Sequence, residues 1–174
     1  MFGIREQNAT NCLPKQNICV IIGRFIVHIL FYDVYEVIIM KLIFCIEKSK
    51  GMMFFGKRHS SDKKLRDKIL FLSASNKLWV SSYTAKQFED QSKIVIDNEY
   101  QNKAGESDYC FVEDLPYTVD GVTEIVLCHW NRKYPSDKFF DIDLKAEGFK
   151  KVSKEDIAGS SHEKITIEVW RREQ

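Results

Sequence analysis

The sequence has no Cys-x-x-Cys pair, no excess of either charge, no apolar run long enough to cross a bilayer, no clustered histidines and no internal repeat or low-complexity tract. Its five cysteines, at positions 12, 19, 45, 110 and 128, are odd in number and lack metal-knuckle spacing. That argues against a disulfide framework and a zinc knuckle, and it sets a reducing, cytoplasmic location as the expectation. Lys and Arg number 26 against 25 Asp and Glu, a net +1 over 174 residues. No overall field therefore draws the chain to a polyanion or an anionic membrane. Within the apolar stretch from Ile18 to Met40 the longest uncharged run is Phe25 to Tyr32, far short of the roughly 20 residues a spanning helix needs. His28, His59, His129 and His162 stand apart from one another, so no metal site is expected. What is present, 44% apolar and 29% charged residues, is the composition of one globular domain.

Residues 1–39 differ in style from the remainder. Asn8 to Pro14 shows no periodicity, and the apolar stretch behind it is broken by Arg24, His28, Asp33 and Glu36. Arg5-Glu6 followed by a polar segment does not supply the order of a signal peptide. Back-translated, Glu36-Val-Ile-Ile-Met40 reads GAG-GTN-ATH-ATH-ATG, a ribosome-binding-like GAGGT about seven nucleotides ahead of an ATG. The expectation is a native start at Met40, with 1–39 an extension outside the native protein and 40–174 a single domain. The alternative is an authentic N-terminal helix packed on that domain.

From Met40 onward the chain alternates strand and helix. Met40-Lys-Leu-Ile-Phe-Cys-Ile46 is rich in strand formers, and Glu47 to Gly51 is a polar turn. Ser60-Ser61-Asp62 supplies cap chemistry for a helix carrying Leu65, Ile69 and Leu72 on one face. Lys77–Ser82 reads as a strand, Thr84–Phe88 as a short helix, Lys93–Asp97 as a strand, and Asn98–Ala104 as a helical turn. Tyr109–Glu113 and Val122–Trp130 are further strands. Short strands separated by helices predict parallel pairing. In the tail Ile165, Ile167 and Val169 alternate with Thr166, Glu168 and Trp170, the period of a half-buried strand, which predicts an antiparallel edge or hairpin.

Several segments carry a family resemblance. Val122-Thr-Glu-Ile-Val-Leu-Cys-His-Trp130, followed by Asp137 and Phe140, resembles the late part of dihydrofolate reductases, a strand ending in Leu-Thr-His-Ile and then Gly-Asp-x-x-Phe-Pro. Gly148 to Ser153 and His162 to Arg172 resemble that family's last two strands. Met40 to Gly51 is similar to its first strand and turn, and Ser82-Tyr83-Thr84 to the Gly-Arg-x-Thr that opens its cofactor-phosphate helix. The resemblance covers most of 40–172. It implies a dihydrofolate reductase-like α/β fold with a mostly parallel central sheet flanked by helices and an antiparallel C-terminal strand or hairpin.

It also implies roles. Asp62 matches the acid that assists pterin protonation, Cys128 stands where a Thr hydrogen-bonds that acid, and Ser82 and Thr84 match the NADPH-phosphate contacts. On local grounds Asp62 reads as an N-cap, and Cys128 as a small core residue. Phe111-Val-Glu-Asp114 departs from the pattern, with Glu113-Asp114 where the reductases carry Gly-Gly. Two carboxylates there repel a dinucleotide phosphate. The reading is therefore a binding or regulatory protein with an eroded NADPH site, keeping a cleft for a nucleotide- or pteridine-like small molecule. Trp79 and Trp130, with Tyr83 and Tyr134, are its candidate lining, core packing being the alternative. No cofactor is expected under this reading; NADPH belongs to the alternative of a divergent reductase.

A third reading starts from charge. Residues 48–68 hold eight basic side chains against two acidic ones, a local net of +6. Arg58, Lys63, Lys64 and Arg66 are the candidates for a nucleic-acid face, against the alternative of a solvated exterior. The segments Lys77-Leu-Trp79 and Asp108 to Glu113 also resemble small proteins that carry a ribonuclease Z label, but the His-x-His-x-Asp-His metal motif of such enzymes is absent from the sequence. The expected partners are a small molecule or a protein, nucleic acid through 48–68, and no membrane.

Overall fold

The structure, a computed structural model, describes residues 19–22, 25–28, 40–114 and 116–173, and the chain divides into two units, Met1–Glu36 and Val37–Gln174. In the first, β1 (Cys19–Ile22) pairs antiparallel with β2 (Phe25–His28). A pair of strands therefore stands where the apolar stretch also allowed a helix; the rest of residues 1–39, including Cys12, lies outside the described residues.

The second unit is built on β3 (Met40–Ile46), whose run Met-Lys-Leu-Ile-Phe-Cys-Ile is buried at six of seven positions. A strand that is apolar on both faces must be covered on both, which is the requirement of a parallel sheet. In chain order there follow β4 (Gly51–Phe54), β5 (Lys57–Arg58), α1 (Lys63–Leu72), β6 (Leu78–Val80), the single turn α2 (Ser82–Ala85), β7 (Val95–Ile96), β8 (Asp108–Val112), β9 (Val122–His129), β10 (Lys138–Phe139), β11 (Phe149–Ile157) and β12 (Ile165–Arg172). The main sheet has the order β11-β12-β9-β3-β8-β6-β7. Strands β9, β3, β8, β6 and β7 are mutually parallel, while β12 runs antiparallel to β9 and β11 antiparallel to β12. This is the mostly parallel α/β sheet with an antiparallel C-terminal pair that the sequence predicts.

Alternation along the strands divides the core in two. Ile43 and Cys45 of β3, Phe111 of β8, and Val126 and Cys128 of β9 face Leu65 and Ile69 of α1. Full burial of each of those two helix residues contributes on the order of 2 kcal/mol. Leu42, Phe44, Cys110, Ile125 and Leu127 face the other way, onto Met52, Met53, Phe140 and Leu144. The outer strand β11 carries Lys150, Lys151 and Lys154 and a register shift between Lys151 and Ser153, features that discourage pairing with another chain.

Three details differ from the expectation. The strand expected over Lys93–Asp97 contracts to β7, because Gln91–Lys93 coils into a 3-10 turn whose cap, Asp90, accepts from the Ser92 amide. The short helix starts at Ser82, two residues early, because the Ser81 hydroxyl caps the Thr84 amide. A second, three-stranded sheet of order β10-β4-β5 is formed by residues that carried no strand expectation. It is joined by the long-range pairing of Lys138 with Met53 and by the Phe55 amide donating to Asp137 Oδ2. Phe55, 77% exposed, adopts φ 46° at the tip of the β4–β5 hairpin.

Candidate functional site

Parallel strands place their carboxyl ends side by side, and the chain leaves β6, β7 and β8 at Ser81, Asp97-Asn98 and Glu113-Asp114. These exits frame a cleft of about 640 Å³, closed on its other sides by Met53 and Gly56 of the β4–β5 hairpin, the 98–102 turn, and Pro116, Tyr117 and Thr118. Crevices outside the carboxyl ends of strands are where open α/β sheets bind ligands.

Glu113 is the buried charge of this cleft, 8% exposed. Thr84 Oγ1 donates to its Oε2 at 2.9 Å, and Arg58 Nη2 lies 3.2 Å from the same oxygen. Arg58 is itself fixed: Nη2 donates to the Tyr83 carbonyl at 2.9 Å, the guanidinium lies 4.4 Å over the Tyr83 ring, and the Arg58 amide donates to the Tyr83 hydroxyl. Burial raises the pKa of Glu113 above its ordinary value, against the opposing pull of Arg58, Thr84 and Gln87. Beside it Asp114 pairs with Lys138. Tyr117 donates to Asp141 Oδ1 at 2.8 Å. Burial pushes the phenols of Tyr100 and Tyr117 upward, so both are neutral hydroxyls at physiological pH.

Asp62 occupies a different place. It caps α1, with Oδ1 accepting from the Leu65 amide at 3.3 Å, while Oδ2 accepts from the Ser161 amide at 2.7 Å and the Ser161 hydroxyl at 3.0 Å. His162 Nδ1 stands 3.4 Å from Oδ2, and its ring stacks on Trp130 with centroids 4.7 Å apart. Burial would raise the Asp62 pKa, but the Ser161 and Ser160 amides, the Ser161 hydroxyl and the Leu65 amide overcome it and hold the carboxyl well below its ordinary range. The turn between β11 and β12 therefore covers this carboxylate, which is 2% exposed. Gly159 makes the approach feasible: a Cβ there would stand 2.6 Å from Asp62 Oδ2 and 2.9 Å from the His162 carbonyl oxygen.

The remaining candidates are dispersed. Cys128 is fully buried beside its cross-strand neighbour Cys45; a hydrogen bond to Cys128, then burial, raises the Cys45 thiol well above its ordinary value. Thr84 is buried and committed to Glu113 and Ser81. Ser82 is exposed, and its amide and hydroxyl both donate to Asn98 Oδ1. Trp130 belongs to the α1 face of the core. Trp79 packs on the opposite face and donates to Asp108 Oδ2 at 2.8 Å. The two tryptophans thus lie on opposite faces of the sheet, and neither lines the strand-end cleft. Of the basic residues, Arg58 turns inward to Glu113 and Arg66 donates to Ser61 Oγ at 2.6 Å; Lys63 and Lys64 are exposed. Among the described residues no group of three His, Cys, Asp or Glu could hold a metal ion, and no helix is long and apolar enough to cross a membrane.

The cleft residues Asn98, Tyr100, Gln101 and Tyr117 escaped the sequence reading, having no motif spacing; their position at strand exits was the available signal. No family model matches the chain, and no curated protein matches it. Among solved structures it is similar to a dihydrofolate reductase from Enterococcus faecalis, complexed with NADP(H) and RAB-propyl. The TM-score is 0.56 at 11% identity, over 78% of this chain and 97% of that one. The chain has a dihydrofolate reductase-like α/β fold. At that identity the likeness concerns the fold, and the chemistry has to come from this chain's own residues.

Proposed function

We propose that the chain is a dihydrofolate reductase-like binding or regulatory protein. Its strand-end cleft takes a nucleotide- or pteridine-like heterocycle without hydride transfer. The observation that carries this reading is Glu113, a buried carboxylate at the exit of β8, walled by Arg58 and Thr84 and flanked by neutral tyrosines. A heterocycle with an exocyclic amine can donate to that carboxylate while its ring lies among Tyr83, Tyr100 and Tyr117, and the side-chain amides of Asn98 and Gln101 supply further donors and acceptors. The volume is within the range of small-molecule pockets.

NADPH is the group the fold family implies, and the residues present do not suit it. A pyrophosphate seeks exposed backbone amides and positive charge. Here the strand exit presents Glu113 and Asp114, Glu99 lies beyond them, Thr84 has its hydroxyl engaged, and α2 is a single turn. These features favour the binding reading over the reductase one. For nucleic acid, Arg58 is withdrawn from the set that would form a basic face.

Calorimetric titration with pterin and with NADPH tests the proposal. Saturable pterin binding that weakens at least tenfold in Glu113→Gln, with no sub-millimolar NADPH complex, is the expected result. A sub-millimolar NADPH complex, or pterin binding indifferent to Glu113, overturns it.

A further inference from the structure

We propose a second ligand site, which takes a small carboxylate with an apolar body, in a cavity between the end of β9, β12 and the 140–145 segment. The cavity has a volume of about 360 Å³ and shares no lining residue with the strand-end cleft. It lies on the sheet face opposite α1, where Ile46, Leu127, Phe140, Leu144 and Trp170 belong to or pack on the core. Its walls suit a ring or short alkyl chain.

The charges around it are unevenly committed. Glu168 accepts from Lys151 Nζ at 2.7 Å and from Trp170 Nε1 at 3.2 Å. Asp143 accepts from the amides of Lys145 and Ala146, and Glu47 Oε1 from those of Ser49 and Gly51. At least one oxygen of each acid is thus engaged by the protein's own donors. Lys48, Lys50 and Lys145, exposed at the rim, have no acidic partner among the described residues. His129 Nε2 is buried without a hydrogen-bond partner, the nearest acid being Glu168 Oε2 at 3.6 Å, beyond bonding distance. An unmet ring nitrogen and three unpaired ammonium groups around an apolar hollow complement a carboxylate on a hydrophobic body. The opposing features are Glu47 Oε2, also buried without a partner, and Glu168 Oε2 beside His129 Nε2, which would favour an amine.

The probes are 3-phenylpropionate, its amide, and phenethylamine, titrated against the full chain while the His129 and Trp170 ring N–H resonances are followed by NMR. The acid should shift both resonances saturably, with the amide and the amine at least tenfold weaker. In the double variant Lys48→Gln/Lys145→Gln, whose side chains are exposed, acid binding should fall about tenfold, the loss of roughly one charge-assisted contact. Equal binding of acid and amide, preference for the amine, unchanged affinity in the double variant, or shifts confined to the strand-end cleft would each overturn the proposal. Because the two cavities share no residue, the result is independent of whether pterin binds at Glu113.

Discussion

Asp62 and Glu113 are both buried carboxylates on the same domain, and their surroundings drive them in opposite directions. Asp62 is met by backbone amides from its own helix and from the 160–161 turn, so its charge is solvated by the fold and its pKa falls. Glu113 is met by side chains, a guanidinium and a hydroxyl, at the wall of an open cleft, and burial wins. Amide donors aligned by secondary structure cost nothing further to orient, whereas burial without enough donors penalises the charged form. The first arrangement closes a joint in the fold; the second leaves a carboxylate with capacity for an incoming donor.

Breaking the closed joint should have the largest effect. Asp62→Ala removes a helix cap and leaves the Ser161 donors and the buried His162 ring unmet, an expected loss of about 3 kcal/mol in urea unfolding. Gly159→Val, which forces a side chain into the space between Asp62 Oδ2 and the His162 carbonyl, should cost about 2 kcal/mol by overpacking.

The pH dependence sharpens the contrast. The folded pKa of Asp62 lies below its ordinary 3.8, so its contribution is complete above about pH 4 and lost as pH falls through the folded value. Asp62→Asn should therefore be less stable than wild type at neutral pH, with the gap narrowing below pH 4. Glu113 has the reverse sign. With its folded pKa above the ordinary 4.5, its favourable contribution is present in full below that value and lost as pH rises through the raised one. The stability of Glu113→Gln relative to wild type should improve as pH rises from 4.5. Parallel slopes for the two variants would contradict the account.

The smallest effects distinguish the two hydroxyl groups read from the sequence as phosphate contacts. Thr84→Val removes one of the two partners of Glu113 Oε2 and leaves Arg58 Nη2 in place, so it should cost about 1 kcal/mol, whereas Ser82→Ala, at an exposed position, should stay within about 0.5 kcal/mol. Thermal unfolding of the pair checks this.

The legible parts of the fold were those governed by local pattern. β3, β8 and β9 show in continuous apolar runs, β12 in strict alternation, and α1 in Leu65 and Ile69 behind an Asp cap. β4, β5 and β10 were hidden because Met53 pairs with Lys138 across 85 residues, and no local pattern encodes such a partner. The same limit applied to the site. Glu113-Asp114 stood out at a strand end, while the burial of Asp62 depends on Ser161 and His162, about 100 positions away. Trp79 and Trp130 illustrate the remaining difficulty: aromatic residues near strand ends do not declare which face they occupy, and here they occupy opposite ones.

The most direct test of the central claim follows the two carboxyl carbons. With 13C-labelled protein, the side-chain carboxyl resonances of Glu113 and Asp62 are recorded at pH 6 while 2,4-diaminopyrimidine is added. A ligand anchored in the strand-end cleft shifts the Glu113 resonance saturably and leaves Asp62 unchanged. Movement at Asp62 with Glu113 unaffected would mean that the covered acid opens to ligand, and would contradict the account.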